Sequence, residues 1–390
     1  MSAARRARGA FVLTWRAIAG DKAALLLFFI SGIIYSFFYP LPYSAEAVRR
    51  VPVAVVDQDQ SALSRQLIRY AAAHPGIRVA GVSTRPEDAQ EMIWRGAAAG
   101  AMFIPADFSR KILAGTQPEV EVAGNGAYPL VNKVVLNGLA ELVGTVSAGV
   151  ELKRLGAATP SGTQAESLRQ PLAVEALPLF NVREGYASYV VPGVMVLVMQ
   201  QTFLLGIGLL FGSWASATSF PYGQDAASYC GALTAFALVV VLNAMYFFGF
   251  VFWWQDYPRG GNLAGTAVLT VLFAYSVAAL GMLIGMFFRT RERSMQLLVA
   301  TSLPIMFLSG LTWPVSAIPP PLRALGTLLP STSAIQGFVA TNQMGASLHE
   351  VRVELATLLG LTVLFGVVGM RKWRRMHAGN GEPLASSGSA

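Results

Sequence analysis

Charged residues are scarce in this 390-residue chain. They make up 13% of the sequence, whereas soluble domains carry roughly 25%. Hydrophobic residues make up 54%, and the mean hydropathy is +0.51. This composition, with its long apolar runs, is typical of a membrane protein. The net charge is +8, and the basic residues flank the apolar runs, which favours a positive-inside membrane pattern over nucleic-acid binding.

Cysteine and histidine are nearly absent. The single cysteine, Cys230, excludes an intrachain disulfide and any metal site built from several thiolates. The three histidines, His74, His349 and His377, are isolated from other ligand types, which favours surface positions over metal ligation. We therefore expect this chain to bind no metal.

Catalytic motifs are missing as well. No glycine is followed by lysine, so the phosphate-binding loop GxxxxGK[ST] is absent and the chain is not expected to hydrolyse ATP itself. GxSxG, HExxH and CxxC are also absent. Asp57 and Asp59 follow an apolar strand pattern, and a turn that closes the strand is favoured over a catalytic carboxylate pair. The chain is therefore not expected to be an enzyme.

Six apolar runs predict six transmembrane helices. The first, residues 23–42, follows a leader, residues 1–22, in which basic and apolar residues are interleaved. The leader pattern favours an amphipathic helix on the cytoplasmic face over a DNA-binding tail. The first run itself is interpreted as a transmembrane helix and not as a cleaved signal peptide, because it ends in bulky aromatic residues. The other five helices are predicted within residues 184–371, at 190–211, 226–254, 263–288, from 297 onwards, and at 355–370.

Residues 43–183 have the pattern of a water-soluble α/β domain. Strand patterns alternate with helix patterns, and Ser61 is a candidate N-cap for the first helix. The predicted strands are 51–57, 77–83, 101–105 and 118–127, and the predicted helices are 61–74, 86–100, 106–115 and 129–156. The expected fold is thus an all-α transmembrane domain of six helices with an inserted α/β domain.

Basic residues also predict the orientation. Lys and Arg concentrate in the leader, at 289–293 and at 371–375, whereas the short loops on the other side hold only Arg259, Arg323 and Arg352. Both termini, including the tail at 372–390, are therefore expected in the cytoplasm, and the α/β domain in the periplasm of a bacterium. The predicted location is the inner membrane.

The segment 309–338 is rich in helix-breaking residues. Five prolines and Trp313 lie between two apolar runs. One interpretation is a re-entrant element, because irregular backbone at membrane depth requires cover from protein or from a watery cavity. An ordinary outer loop with helix-stopping prolines is the alternative.

A few polar and small residues lie inside the predicted helices. Gln200, Gln201 and Asn243 would either line a transport pathway or form hydrogen bonds between helices. No run of ionisable residues occurs there, so a transporter of this kind would draw its energy from elsewhere than an ion gradient. Two GxxxG pairs, at 208–212 and 281–285, favour close helix packing, although glycine is common in membrane helices.

Three stretches carry a family resemblance. They are VPVAVVDQDQSALSRQLIRYAAAHPGIRVAG at 51–81, LFNVREGYASYVVPGVMVLVMQQ at 179–201 and LSGLTWPVSAIPPPLRALGTLLPSTSAIQGF at 308–338. With the order of elements, they resemble the permease subunit of type-2 ABC exporters that carry a large periplasmic domain after the first transmembrane helix. The resemblance covers nearly the whole chain and favours the re-entrant interpretation.

This resemblance implies a permease that works as a homodimer or heterodimer with two ATP-binding cassette subunits, which would hold the ATP. A periplasmic adaptor protein is a further expected partner. The mostly apolar helices favour efflux of amphiphilic or lipid-like molecules or drugs. The implied roles are ATPase coupling for Trp15, Arg16, Trp214, Phe220, Tyr222 and Asp225, an outer gate for Leu308, Gly310, Trp313 and Pro314, and pathway lining for Gln200, Gln201 and Asn243.

The loop at 212–230 departs from the family pattern. The family's charged docking stretch is missing there, and Asp225 is the only charged residue. Two alternatives to an exporter stay open. One is a degenerate permease that acts as an envelope scaffold or heterodimer partner, and the atypical loop supports it. The other is a membrane-anchored sensor whose α/β domain binds a small ligand.

Overall fold

The computed structural model describes residues 2–43, 49–158, 180–181, 185–217, 220–313 and 315–378. The chain divides into two compact units. The helical unit comprises Met1–Glu46 and Pro178–Ala390, and the sheet unit comprises Ala47–Leu177. A small sheet domain is therefore inserted between the first and second long apolar helices, as the sequence predicts.

The helical unit begins with a leader helix and the first apolar helix. The leader helix α1 (Ala3–Gly20) is followed by α2 (Lys22–Leu25), a π-helical turn (Leu26–Ile30) and α3 (Ser31–Phe38). Asp21 separates α1 from α2, because its carboxylate accepts hydrogen bonds from the amides of Ala23 and Ala24, at 2.9 and 3.1 Å, and so caps the new helix.

The sheet unit is a doubly covered, mostly parallel sheet. Its strand order is β2-β1-β3-β4, and only β4 is antiparallel to its neighbour. Its elements are β1 (Val51–Asp57), α4 (Ala62–Ala73), β2 (Ile77–Ser83), α5 (Pro86–Trp94), β3 (Gly100–Ile104), α6 (Phe108–Ala114), β4 (Glu121–Gly124) and α7 (Pro129–Ala158).

The packing of strand β1 explains why its sequence is almost continuously apolar. Val53 and Val55 pack against one core, which contains residues of α4 and α7. Ala54 and Val56 pack against a second core with Ala89 of α5. Both faces of the strand are covered, so alternation with polar residues is not expected.

The remaining helices complete the helical unit. They are α8 (Tyr186–Ser216), α9 (Ala226–Met245), α10 (Phe252–Trp254, joined to α9 by a π turn at Tyr246–Val251), α11 (Leu263–Gly285), α12 (Arg291–Leu308), α13 (Pro320–Thr327), α14 (Pro330–Phe338, followed by a π turn at Val339–Gln343) and α15 (Arg352–Ala378).

Five helical segments among the described residues are long and apolar enough to cross a membrane. They are Lys22–Tyr43, Tyr186–Ser216, Ala226–Trp254, Leu263–Gly285 and Arg352–Arg375. The predicted fifth helix, here α12, is not one of them: it has 18 residues and begins with Arg291, Glu292 and Arg293. The predicted count of six is therefore not confirmed. Helix α15 continues to Ala378, into the predicted tail at 372–390.

The bundle has two distinguishable ends. At the insertion end, the rings of Tyr43 and Tyr186 lie 5.3 Å apart, so the chain leaves and re-enters the bundle at one place. At the leader end, α1 packs along the start of α9, and Arg291 at the start of α12 forms an ion pair of 3.0 Å with Asp21.

The described residues between 309 and 343 run from the insertion end to the middle of the bundle and back. Leu311 packs against Gly193, near the start of α8. At Ser331, the chain lies beside Gln200, in the middle of α8, and Gln343 then returns to Ser188. The path is that of a helical hairpin, and its re-entry into a membrane remains a prediction.

A backbone latch closes the insertion end. It joins residues 260–262 to residues 341–346. The amides of Gly261 and Asn262 donate to the carbonyl oxygens of Asn342 and Thr341, at 3.0 and 2.9 Å. A Cβ on Gly261 would lie 2.5 Å from the Cα of Gly345. The two segments of the chain therefore approach each other so closely that only glycine fits at position 261.

Candidate functional site

An aromatic cluster occupies the leader end of the bundle. Its rings come from α8, from the loop that follows it, from α9 and from α15. Trp373 lies at its centre, with ring centroids 4.9 Å from Phe220 and 5.3 Å from Tyr222. The cluster comprises Phe211, Trp214, Phe220, Tyr222, Tyr229 and Trp373.

The leader helix is bonded to the loop at residues 220–225. The hydroxyls of Thr14 and Tyr222 lie 2.9 Å apart and share a hydrogen bond, and both side chains are buried. Arg6 donates to the carboxylate of Asp225 at 2.9 Å. This loop therefore moves with α1 unless these bonds break.

Close contact between α1 and α9 depends on a glycine. A Cβ on Gly231 would lie 2.1 Å from the carbonyl oxygen of Ala7. The absence of a side chain at this position lets the two helix backbones approach, as small residues do where membrane helices pack.

Asp225 is an ionised group in this arrangement. Hydrogen bonds from Ser228, at 2.7 Å, and from Arg6 hold the pKa of this carboxyl below its ordinary value. Its charge is directed at residues of its own chain. The single charged residue of the loop thus has internal partners.

Four of the six residues predicted for ATPase coupling lie together. Trp214, Phe220 and Tyr222 belong to the aromatic cluster, and Asp225 follows them in the loop. Trp15 lies instead beside Phe29 of the first apolar helix, at 6.5 Å between ring centroids, and Arg16 is exposed. The coupling role of all six stays a prediction.

Sequence reasoning missed Thr14 and Trp373. Trp373 lies in the run RKWRRM, which was interpreted as the start of a tail. The signal was the lone aromatic residue among four basic residues: Arg371, Arg374 and Arg375 are exposed, whereas Trp373 points into the bundle with none of its surface accessible.

The predicted gate residues lie where α12 ends. The carbonyl oxygen of Leu308 packs against Gly326 of α13. Gly310 has a φ of +77°, which a residue with a side chain adopts only with strain. Trp313 is 60% exposed, and Pro314 lies outside the described residues. The three described positions lie at the end of α12 and in the irregular segment that follows it, and gating stays a prediction.

The predicted pathway residues form hydrogen bonds within the bundle. Gln200 is fully buried, and its side-chain oxygen accepts from the amide of Ser331 at 2.8 Å. Gln201 donates to the Ser302 hydroxyl at 2.7 Å, and Asn243 donates to the Val239 carbonyl at 3.0 Å. Two of the three therefore join different helices, and pathway lining remains a prediction.

Both GxxxG pairs lie at helix contacts. A Cβ on Gly212 would lie 2.6 Å from the carbonyl oxygen of Thr290, and one on Gly208 2.9 Å from Leu298. A Cβ on Gly281 would lie 2.6 Å from the Ile207 side chain, and one on Gly285 would lie 3.0 Å from the Phe211 ring. These glycines bring α8 close to α11 and α12.

A family model for ABC-2 family transporter proteins matches residues 22–371. The chain belongs to the ABC-2 family. This confirms the resemblance drawn from the sequence. ABC-2 permeases are membrane transport subunits that work with ABC ATPases and are not themselves enzymes.

Individual relatives agree with this assignment. The linearmycin resistance permease protein LnrN of Bacillus subtilis is 23% identical, over 83% of this chain and 88% of its own length. The inner membrane transport permease YhhJ of Escherichia coli is 24% identical, over 92% and 94%. The ABC transporter G family member 20 of Dictyostelium discoideum is 23% identical, over 72% of this chain and 38% of its own length.

Proposed function

We propose that this ABC-2 protein is the permease subunit of an exporter driven by a partner ATPase. It would work as a homodimer or heterodimer with two ATP-binding subunits, in a bacterial inner membrane with both termini in the cytoplasm. The observation that carries the proposal is the family match, which spans residues 22–371. The geometry of the leader end adds a physical route for coupling.

The proposed coupling route begins at the loop of residues 220–225. An ATP-binding subunit that moved this loop would also move α1 through Arg6 and Thr14, and α15 through Trp373. Those helices pack against α9 and α11, so the displacement would reach the bundle interior. Nucleotide binding would thereby shift the permease between inward-facing and outward-facing states.

The proposed cargo is amphiphilic, lipid-like or drug-like. The five apolar helices offer few polar groups to a hydrophilic solute. One relative, LnrN, is named as a resistance permease, which favours efflux of a toxic compound. The sheet unit would lie in the periplasm and contact the cargo or an adaptor protein there.

Co-purification tests the proposal. The permease is co-expressed with candidate ATP-binding subunits, purified in mild detergent and placed in lipid nanodiscs. We expect a stable complex whose ATP hydrolysis rises when amphiphilic compounds are added. A complex with an ATP-binding subunit that lacks its phosphate-binding lysine is the control for contaminating hydrolysis.

A specific observation favours a scaffold as the second candidate. Asp225, the only charged residue of the loop, is already bonded to Arg6 and Ser228. A scaffold would still recruit envelope proteins through its sheet unit. If no ATP-binding subunit co-purifies, and envelope proteins do, the scaffold replaces the exporter.

A further inference from the structure

We propose that Trp373 is a positioning residue, which holds the loop at residues 220–225 in the shape that it presents to an ATP-binding subunit. The inference rests on the proposed function for the identity of that partner. The geometry of the loop itself does not depend on it.

The position of Trp373 differs from that of a tryptophan at a membrane interface. Interfacial tryptophans place an amphipathic ring among lipid headgroups. Trp253 and Trp254, at the insertion end, fit this pattern, with 59% and 61% of their surfaces exposed. Trp373 is fully buried, although Arg371, Arg374 and Arg375 near it in α15 are exposed. Its ring is therefore committed to contacts within the protein.

Trp373 fastens the loop by a hydrogen bond and by ring contacts. Its indole nitrogen donates to the carbonyl oxygen of Gly223 at 2.9 Å. Its ring also contacts Phe220 and Tyr222, which precede Gly223 in the sequence, and Tyr229, which follows it and lies 5.4 Å away. The side chain thus reaches the backbone and the rings that flank it.

The loop has no regular secondary structure, so these side chains determine its shape. Thr14 and Arg6 bind it from α1, and Trp373 binds it from α15. The bonds from α1 attach to Tyr222 and Asp225, and the bond from α15 attaches to Gly223, between them. Loss of the Trp373 side chain would remove the hydrogen bond that ties Gly223, in the middle of the loop, to α15.

The last helix is itself fixed in the bundle. The hydroxyl of Ser276 in α11 donates to the carbonyl oxygen of Leu358 in α15 at 2.7 Å. A force applied to the loop is therefore transmitted through Trp373 to α15 and then to α11. Without the indole, the loop would move while α15 stayed in place.

An exposed loop residue offers a direct measurement. Gln224 is exposed and follows Gly223, whose carbonyl oxygen accepts from Trp373. The single cysteine, Cys230, lies in α9 and is replaced by serine, so that a nitroxide attached to Gln224→Cys of the full-length permease reports the mobility of the loop. We expect Trp373→Ala to increase that mobility, and Trp373→Phe, which keeps a ring and loses the N–H, to give an intermediate spectrum. Trp253→Ala is the matched control and should leave the spectrum unchanged.

A second measurement tests coupling in the complex with its ATP-binding subunit. We expect Trp373→Ala to lower the ratio of amphiphile-stimulated to basal ATP hydrolysis about tenfold, the scale of an ordinary allosteric coupling. Trp373→Phe should lower this ratio less, and it serves alone if the Ala variant does not fold. A general loss of structure would lower the melting temperature of the complex as well.

The outcomes separate the two proposals. A wild-type nitroxide spectrum in both Trp373 variants would overturn the positioning role, whatever the ATPase does. An increased mobility without any associated ATPase would support the hold on the loop and count against the exporter. An increased mobility with unchanged stimulation would overturn the link between loop shape and coupling.

Discussion

Gly231 is the residue on which the packing of the leader helix depends. We expect Gly231→Ala to push α1 away from α9 and to destabilise the protein by about 1–3 kcal/mol, the usual cost of overpacking. Thermal unfolding in detergent measures this, together with the rate of tryptic cleavage after Arg8. Gly366→Ala, at a site where a Cβ would meet no atom within 4 Å, should unfold like the wild type. Equal melting temperatures for the two variants would contradict the prediction.

Asp59 gives the sheet unit a pH-dependent contribution to stability. Burial raises the pKa of its carboxyl, but hydrogen bonds from Ser61 and Ser109 together lower that pKa by more than burial raises it. The pKa therefore lies below the ordinary value of 3.8. A folded-state pKa below the unfolded value stabilises the fold above pH 3.8, and this stabilisation is lost as the pH falls through the folded pKa.

The corresponding variant is Asp59→Asn. We expect it to weaken the sheet unit at neutral pH and to match the wild type well below pH 3.8. Hydrogen exchange of the β1 amides measures the effect. Ser109→Ala removes the donor that lies 2.9 Å from the carboxylate and should reproduce it. A loss of stability that is the same at every pH would argue against the charge as its cause.

The residues at the leader end were only partly predictable. Trp214, Phe220 and Tyr222 lie within nine positions of one another, so a local pattern could single them out. Thr14 and Trp373 are distant in sequence, and only the three-dimensional contact of α1 and α15 with the loop brings them in. Side-chain partners between distant helices leave no spacing that a single sequence displays.

At the scale of elements, Gln200 anchors the inner tip of the hairpin. Its oxygen accepts from the amide of Ser331 at the start of α14, where no side chain of the helix's own N-cap residue does so. We expect Gln200→Leu to cost about 1–3 kcal/mol, because it leaves a buried N–H without its acceptor. Hydrogen exchange across residues 329–338 should rise in parallel with the fall in melting temperature.

Gln296→Leu is the matched control for this variant. Gln296 lies on α12 and is exposed, so the same chemical change should leave both measurements at their wild-type values. Protection of residues 329–338 that is unchanged in Gln200→Leu would show that the hairpin does not depend on this bond.

Elements with a clear period were predictable, and α12 was not. The four strands lie where the sequence predicts them along the chain. They were recognisable because β1 is apolar on both faces and each helix begins with an identifiable cap residue or proline. Helix α12 mixes an apolar half with Arg291, Glu292, Arg293 and several hydroxyl residues. Its packing depends on contacts with α8, and such contacts cannot be predicted from the amino-acid composition of α12 alone.

At the scale of the whole molecule, the distribution of basic residues predicts the membrane orientation. Alkaline phosphatase, which is active only outside the cytoplasm, should be active when fused after Ala98 and inactive when fused at Ala390. Green fluorescent protein, which fluoresces in the cytoplasm, should give the opposite result at both positions. Active phosphatase at the C-terminus would reverse the orientation and remove the leader end from contact with any ATPase.

The division into two units was predictable at this scale, and the internal arrangement of the bundle was not. Composition changes near residues 43 and 183, where apolar runs give way to mixed patterns, and the two compact units divide close to these positions. The order in which helices pack depends on glycine contacts such as Gly212 with Thr290 and on ion pairs such as Arg291 with Asp21. Hydrophobicity alone does not distinguish these arrangements.

The latch at the insertion end has a consequence for mutational tolerance. Two of its bonds join main-chain atoms, which every residue other than proline can supply, and the side chains of Asn262 and Asn342 add bonds to Ala346 and Gly260. A saturation library over residues 260–262 and 341–346 should therefore retain function with many side chains at the exposed Met344. It should retain function with few at the glycines, at Asn262 and at the buried Thr341 and Asn342. The same library over the aromatic cluster should be nearly intolerant, because ring shape carries the contacts there. Exposed latch positions such as Met344 would thus drift faster under selection than the buried positions at either end of the bundle.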